Sequence, residues 1–196
     1  PEMVAELETG NCFFLSYGFE SGSQKMLDLM KKRMSREQNI RAYSLCDNSK
    51  LVGSCSLMAG NVGETNDTIK ETISALREAN IGRAGVFFAS AYPGGRTWDW
   101  AVERGIIKDT HEYLLAASDK DAGSRINMNL TPYPNLILKG WQQMLLWECE
   151  KLEWRKEHKL YSGQPFLMKW RKYLRPFIGY SYIPTPIIRY LVDLYF

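Results

Sequence analysis

Apolar positions in the first 120 residues fall into runs of two kinds that alternate along the chain. Residues 12–19, 51–59 and 83–90 are nearly continuous apolar stretches of strand length, each ending in glycine-bearing, polar text. Between them the apolar residues take helical spacing: Ile69, Ile73 and Leu76 recur at i, i+4 and i+7 and mark one buried face. Start signals agree with that period. Ser23 can cap a helix carrying Met26, Leu27, Leu29 and Met30 that ends at Lys31-Lys32-Arg33. Ser35-Arg36-Glu37-Gln38 is a capping box, with Ser at N-cap and Gln at N3, opening a helix to about Asn48. Thr65 or Asn66 starts the next helix, residues 96–104 form a short one closed by Gly105, and Asp109 opens another to about Ala117. Strand, helix and strand in this order predict parallel strands joined by right-handed crossovers. Their continuous apolar character predicts cover on both faces. Three strands cannot close a barrel, so outer strands are left with unpaired N–H and C=O groups, to be met by an upstream partner or by self-association.

After Ser118 the pattern changes. Residues 126–131 read as extended, 135–158 as one long helix, and the remainder as Trp-, Tyr- and Lys/Arg-rich text broken by Pro165, Pro176, Pro184 and Pro186. The expected division is 1–120 and 121–196, with a further soft boundary near 160. At the other end, Pro1-Glu2-Met3-Val4-Ala5-Glu6-Leu7 reads as the middle of an amphipathic helix, and so as the interior of a longer protein.

Charge sharpens the division. Residues 1–150 carry a net charge of −3 and residues 151–196 a net of +6, within a total of +3. The Trp154-to-Tyr182 stretch interleaves cations with aromatics, a composition suited to RNA, anionic lipid or an acidic partner. It suits equally a helical extension that packs its aromatics and points Lys outward. No clear nucleic-acid signature results. Cys12, Cys46, Cys55 and Cys149 have no C-x₂₋₄-C spacing, so no metal site is expected within the chain; Cys12 and Cys55 read as small hydrophobes inside strands. His111 and His158 lack metal-spaced partners and read as solvated surface. No signal peptide and no run long enough to span a bilayer is present, which points to the cytoplasm.

Candidate chemistry gathers at the three strand ends. Glu20-Ser21-Gly22 offers a carboxylate and a hydroxyl to a ribose or an amino group, or else Glu20 pairs with a Lys and Ser21 caps the next helix. Gly60-Asn61-Val62-Gly63-Glu64-Thr65 lets backbone approach a ligand and presents N–H groups to anionic or polar atoms, or is a tight turn with Glu64 serving the helix start. It is not a Walker A loop, lacking Lys-Ser/Thr after Gly63, nor a G-x-G-x-x-G fingerprint. Tyr92-Pro93-Gly94-Gly95 is a turn with Pro at i+1 and Gly at i+2.

Taken in order, Gly-Phe-Glu-Ser-Gly-Ser-Gln, Leu-Met-Ala-Gly-Asn-Val-Gly-Glu-Thr and Tyr-Pro-Gly-Gly, with their connecting text, resemble the later half of a radical S-adenosylmethionine (SAM) enzyme. The branch most similar is the cobalamin-binding one, with its methyltransferases and ring cyclases. The resemblance covers residues 1–131. It implies an α/β fold: a partial TIM-type barrel, the later three βα units of a (βα)₆ radical SAM barrel, followed by a mostly helical extension. It also implies an upstream half of the same polypeptide carrying a C-x-x-x-C-x-x-C loop with a [4Fe-4S] cluster that cleaves SAM reductively, and a cobalamin domain in some members. Carried over by residue, Glu20 and Ser21 contact the SAM ribose or amino-acid part, Gly60, Gly63 and Glu64 lie beside SAM, and Pro93 and Gly94 lie near its adenine. Asn61, Val62 and Gly95 depart from the family pattern. No catalytic residue is assigned and the substrate is unknown. The competing readings are a non-catalytic barrel half kept as a binding or assembly module, and an unrelated nucleotide-binding α/β domain.

Overall fold

The computed structural model describes residues 2–119 and 122–160, with side chains to residue 156. Residues 161–196, with most of the basic aromatic stretch and the four prolines, and the side chain of His158 lie outside those residues. The elements run α1 (Glu2–Thr9), β1 (Phe14–Glu20), α2 (Gln24–Leu29), α3 (Arg36–Asp47), β2 (Val52–Ala59), α4 (Asn66–Glu78), β3 (Ala84–Phe88), α5 (Arg96–Glu103), α6 (Thr110–Ala117), a 3₁₀ turn (Ala122–Ser124) and α7 (Asn135–Leu160). The strands form one parallel sheet in the order β1-β2-β3. Residues 126–131, expected to be extended, form no strand, and Cys12 lies outside β1, half-buried.

Local chemistry explains the helix starts. Ser35 Oγ accepts from Gln38 N at 3.2 Å while Gln38 Oε1 accepts from Ser35 N at 2.8 Å, completing the capping box. Thr65 and Thr68 close a second box at the start of α4. Asp109 accepts from Glu112 N at 2.9 Å and starts α6.

All the main helices that pack on the sheet use one face. Phe19, Cys55, Leu57, Ala59, Val86 and Phe88 point to it and meet Tyr43 of α3, the Ile69/Ile73/Leu76 stripe of α4, and Leu138, Trp141, Leu145 and Cys149 of α7. Each large side chain so buried contributes about 1.5–3 kcal/mol. The opposite face is covered only in part, short of what the apolar runs predicted: Met58 packs against a second cluster that includes Ala101 of α5 and Tyr113 of α6, and Gly123 of the 3₁₀ turn lies against Phe87. Ser16, Gly18, Ser54, Ser56, Met58, Gly85 and Phe87 are all half-buried or exposed. The runs looked apolar throughout because small serines and glycines interrupt them without adding charge.

The two outer strands differ as well. Arg83 O and Ala89 N bond to β2, so the backbone of Val86, an odd number of residues away from both, faces outward. Gln142 Nε2 of α7 donates to Val86 O at 2.8 Å and covers that edge. β1 has β2 on one side and no strand on the other among the described residues.

Candidate functional site

β1 ends in a local distortion that aims a carboxylate. Its register against β2 shifts between Gly18 and Glu20, and Glu20 takes φ 62°, a left-handed conformation costing a side-chain-bearing residue roughly 1–2 kcal/mol. The carboxylate folds back over Gly18, where an added Cβ would lie 2.3 Å from Glu20 Oε1 and 3.0 Å from Lys32 Nζ. Lys32 Nζ donates to Glu20 Oε1 at 2.8 Å, and the two side chains are 33% and 20% exposed. This ion pair stands on the open face of the sheet. Among the described residues, five other than glycine have positive φ: Asn11, Glu20, Lys31, Arg33 and Asn80. Asn11, Lys31 and Asn80 follow helices whose closing N–H bonds reach back, as in Lys32 N to Leu27 O at 3.0 Å. Glu20 and Arg33 close no helix; one carries the carboxylate and the other directly follows Lys32. Strain without a capping role therefore collects on this pair.

Ser21, expected to face a ligand, is buried and points into the protein. Thr72 Oγ1 donates to Thr68 O at 3.0 Å, so in its 3.0 Å contact with Ser21 the donor is Ser21. Ser21 Oγ in turn accepts from Ser23 N at 3.1 Å, and Gly22 N donates to Thr72 Oγ1 at 3.0 Å. Glycine is required at 22, since a Cβ would come within 2.5 Å of Ala75 Cβ and 2.7 Å of Thr72 Cα. The 21–23 loop is thereby locked on α4, and Ser23 Oγ makes no cap bond.

At the end of β2, Gly60 and Gly63 have φ 81° and 83°, the freedom that placed glycines there in the sequence reading. Five of the N–H groups from Gly60 to Thr65, however, are taken up within the protein. Glu64 Oε2 accepts from Gly60 N at 2.5 Å and from Asn61 N at 3.2 Å. Asn61 Oδ1 accepts from Val62 N at 2.8 Å, Asn61 O from Glu64 N at 3.1 Å, and Thr68 Oγ1 from Thr65 N at 3.0 Å. A carboxylate one residue past the second glycine reaches those amides before any ligand does. Glu64 is 1% exposed, and burial, opposed by the Gly60 and Asn61 amides, pushes its carboxyl up to about 7.

The third strand end is open. Gly95 N bonds to Tyr92 O at 3.1 Å with Gly94 at φ 85°, a type II turn, and Pro93 and Gly94 are exposed. Tyr113 of α6 fixes its base, accepting from Ala91 N at 2.8 Å.

Three buried side-chain atoms lack a hydrogen-bond partner among the described residues: Ser23 Oγ, Asn39 Oδ1 and Glu64 Oε1. Asn39 Nδ2 donates to Phe19 O at 2.9 Å, which places it beside the end of β1. All three therefore lie at the C-terminal end of the sheet, the end at which Glu20 and Lys32 also stand. Sequence reasoning missed Lys32, taken for part of a basic helix end, and Asn39 and Thr72, which look like ordinary helix polars. The sequence reading allowed that Glu20 pairs with a Lys without naming it; Lys25 is nearer along the chain, and the structure selects Lys32.

The thiols are elsewhere and of another character. Cys46, Cys55 and Cys149 are buried, and burial raises the pKa of each; among the described residues no group of three His, Cys, Asp or Glu could hold a metal ion. No helix among them is long and apolar enough to cross a membrane.

No protein-family model matches the chain. It is 28% identical over 107 residues to an uncharacterized methyltransferase of Pyrococcus horikoshii, a stretch covering 54% of the chain and 23% of that protein. It is 33% identical over 85 residues to the ribosomal protein uS12 methylthiotransferase RimO of Pelotomaculum thermopropionicum, covering 42% of the chain and 19% of that enzyme. A tRNA-2-methylthio-N(6)-dimethylallyladenosine synthase of Orientia tsutsugamushi is 30% identical over 105 residues, 53% of the chain and 23% of its own length. The chain thus resembles, over about half of itself, less than a quarter of each of these proteins.

Proposed function

We propose that the chain is the SAM-facing C-terminal part of a radical SAM enzyme that transfers a methyl or methylthio group. The observation that carries this reading is the Glu20–Lys32 pair on the open face at the strand ends. The amino-acid part of SAM bears an ammonium and a carboxylate on one carbon. Opposite charges 2.8 Å apart can exchange partners with such a zwitterion, Glu20 taking the ammonium and Lys32 the carboxylate, with no net charge buried. The filled turn at Gly60–Glu64 suits the rest of the molecule, which has no phosphate. Gly60 and Gly63 then give close approach, Glu64 and Ser21 hold their loops, and Pro93 and Gly94 form the outer wall. When bound, SAM supplies an activated methyl group and, on one-electron reduction, radical chemistry. Small side chains at Ser16, Gly18, Ser54, Ser56 and Gly85 leave the open face free to line the inside of a barrel.

In this reading an upstream half of the same polypeptide supplies the remaining strands. A [4Fe-4S] cluster needs accessible thiolates in close spacing, and the buried, protonated Cys46, Cys55 and Cys149 do not fit it. The cluster, and cobalamin if the parent belongs to that branch, are carried by that half, and no residue here is assigned to either. The names of the relatives favour methyl or methylthio transfer over ring cyclisation.

The test is to express the chain with the region encoded immediately upstream and measure SAM binding anaerobically. Lys32→Ala and Glu20→Gln should each weaken it about 10- to 100-fold, the scale of a lost charge-assisted hydrogen bond. A reading frame without a cysteine loop, or unchanged affinity in both variants, overturns the proposal and returns the non-catalytic barrel half to first place.

A further inference from the structure

We propose that Glu64 is a specificity-determining residue: its carboxylate occupies the amide nest of the Gly60–Glu64 turn and thereby excludes phosphate-bearing nucleotides from the strand ends. A glycine turn leading from a parallel strand into a helix is ordinarily an anion site, because its N–H groups and the helix start point at the same spot. Here α4 follows Thr65, the helix is long enough to carry the usual positive end, and both glycines have the left-handed conformation such a turn needs. What differs is that Glu64 Oε2 already accepts from Gly60 N and Asn61 N. The protein's own anion sits where a diphosphate would. A second anion would meet both a shortage of donors and a buried like charge.

The second carboxylate oxygen makes this more than a turn brace. Oε1 is buried without a partner, so the nest is filled by a group that is not itself fully satisfied. That is costly for a purely structural device, since a Gln or Ser could brace the same amides without burying a charge. The cost is explained if the charge is what matters. Lys25 and Asp28 on α2, Asp67, Lys70, Glu71, Arg77 and Glu78 on α4 and Lys139 on α7 are exposed, and the buried Glu148 of α7 is paired with Arg77 and Lys151. The forces that set the ionisation of Glu64 are burial and the two turn amides, with no countercharge among them.

The proposal does not depend on SAM binding and is tested on the 196-residue chain itself by amide-resolved NMR, with inorganic pyrophosphate and ADP as the added anions. In the wild type at pH 8 neither should move the Gly60 or Asn61 amide signals. Both signals should instead follow a titration with a midpoint at about 7. Glu64→Gln, which keeps the shape and an acceptor oxygen, should abolish that titration. Glu64→Ala should open the nest and bind pyrophosphate at least about tenfold more tightly than wild type, the scale of one charged-group hydrogen bond. If Glu64→Ala fails to fold, Glu64→Gln and the wild-type titration still decide. Pyrophosphate shifts at Gly60 and Asn61 in the wild type, or amides that ignore pH in the wild type as they do in Glu64→Gln, overturn the assignment. Loss of the proposed SAM role would leave these outcomes unchanged.

Discussion

One face of the sheet presents Phe19, Cys55, Leu57, Ala59, Val86 and Phe88; the other presents Ser16, Gly18, Ser54, Ser56, Met58, Gly85 and Phe87. The first set has volume and meets three helices. The second is mostly small and weakly polar and is covered only toward Met58 and Phe87, yet it belongs to the same three parallel strands. Parallel sheets are normally covered on both faces, so the difference does not reflect strand type. One face was selected to fill space and the other to leave it. In the proposed reading function follows the second face: the Glu20–Lys32 pair stands on it, while the loops that end the strands are fixed from the first.

The largest effect should come from the packed face. Trp141 is fully buried, donates from Nε1 to Asn66 Oδ1 at 2.8 Å and lies edge-on to Tyr133 at 5.1 Å. Trp141→Ala should cost about 3–5 kcal/mol in denaturant unfolding. Ser56→Ala on the open face should stay within about 0.5 kcal/mol of wild type. Equal costs would break the contrast between the faces.

Next comes Glu64, at the border between them. Its carboxyl is raised from 4.5 to about 7, so the native state keeps a proton that the unfolded chain has released between those values. The contribution of Glu64 to native stability is therefore full below about pH 4.5, falls as pH rises to about 7, and is then flat. The loss is about 3 kcal/mol, and Glu64→Gln should flatten the slope. Unfolding midpoints followed across pH 4–8 measure it. A slope that survives Glu64→Gln assigns the pH dependence to another group.

Much of the fold was legible because its signals are local. Capping boxes, the Ile69/Ile73/Leu76 stripe and glycines at strand ends each declare themselves within a few residues, and the structure places helices and strands there. What could not be read depends on neighbours far apart in sequence. The orientation of Ser21 is decided by Thr72, 51 residues on, and the cover of the β3 edge by Gln142, 56 residues from Val86. The partly covered face escaped notice for a different reason, since a run of Ser, Gly and Met reads as apolar when scored beside Leu and Val. Glu64 was singled out by its position after the second glycine. Its direction, inward onto its own turn, was set by a competition among hydrogen-bond acceptors that no spacing rule records.

Gly22 tests how tightly the site's loops depend on the packed side. A methyl group there would lie 2.5 Å from Ala75 Cβ and 2.7 Å from Thr72 Cα, and backbone cannot yield as a flexible side chain does. Gly22→Ala should cost about 1–3 kcal/mol and break the Ser21–Thr72 contact. Thermal unfolding, with the Ser21 amide signal as a local reporter, checks both. A stable variant with an unmoved Ser21 would mean that the loop is not held by α4.

The smallest effects on stability should fall on the ion pair. Lys32 and Glu20 are partly exposed, so their mutual attraction is worth at most about 1 kcal/mol, and Lys32→Ala should lose no more than that. Glu20 sharpens the point, because its φ of 62° sets strain against attraction. Glu20→Ala removes the pair and keeps the strain, so it should cost up to about 1 kcal/mol. Glu20→Gly removes the pair but also relieves roughly 1 kcal/mol of strain, against about 0.5–1 kcal/mol of added chain entropy, and should fall within about 0.5 kcal/mol of Glu20→Ala. A carboxylate that the fold loses so cheaply, yet holds in a left-handed conformation beside a lysine, is what the proposed SAM contact requires. A loss above about 2 kcal/mol in Glu20→Gly would instead make the pair part of the scaffold.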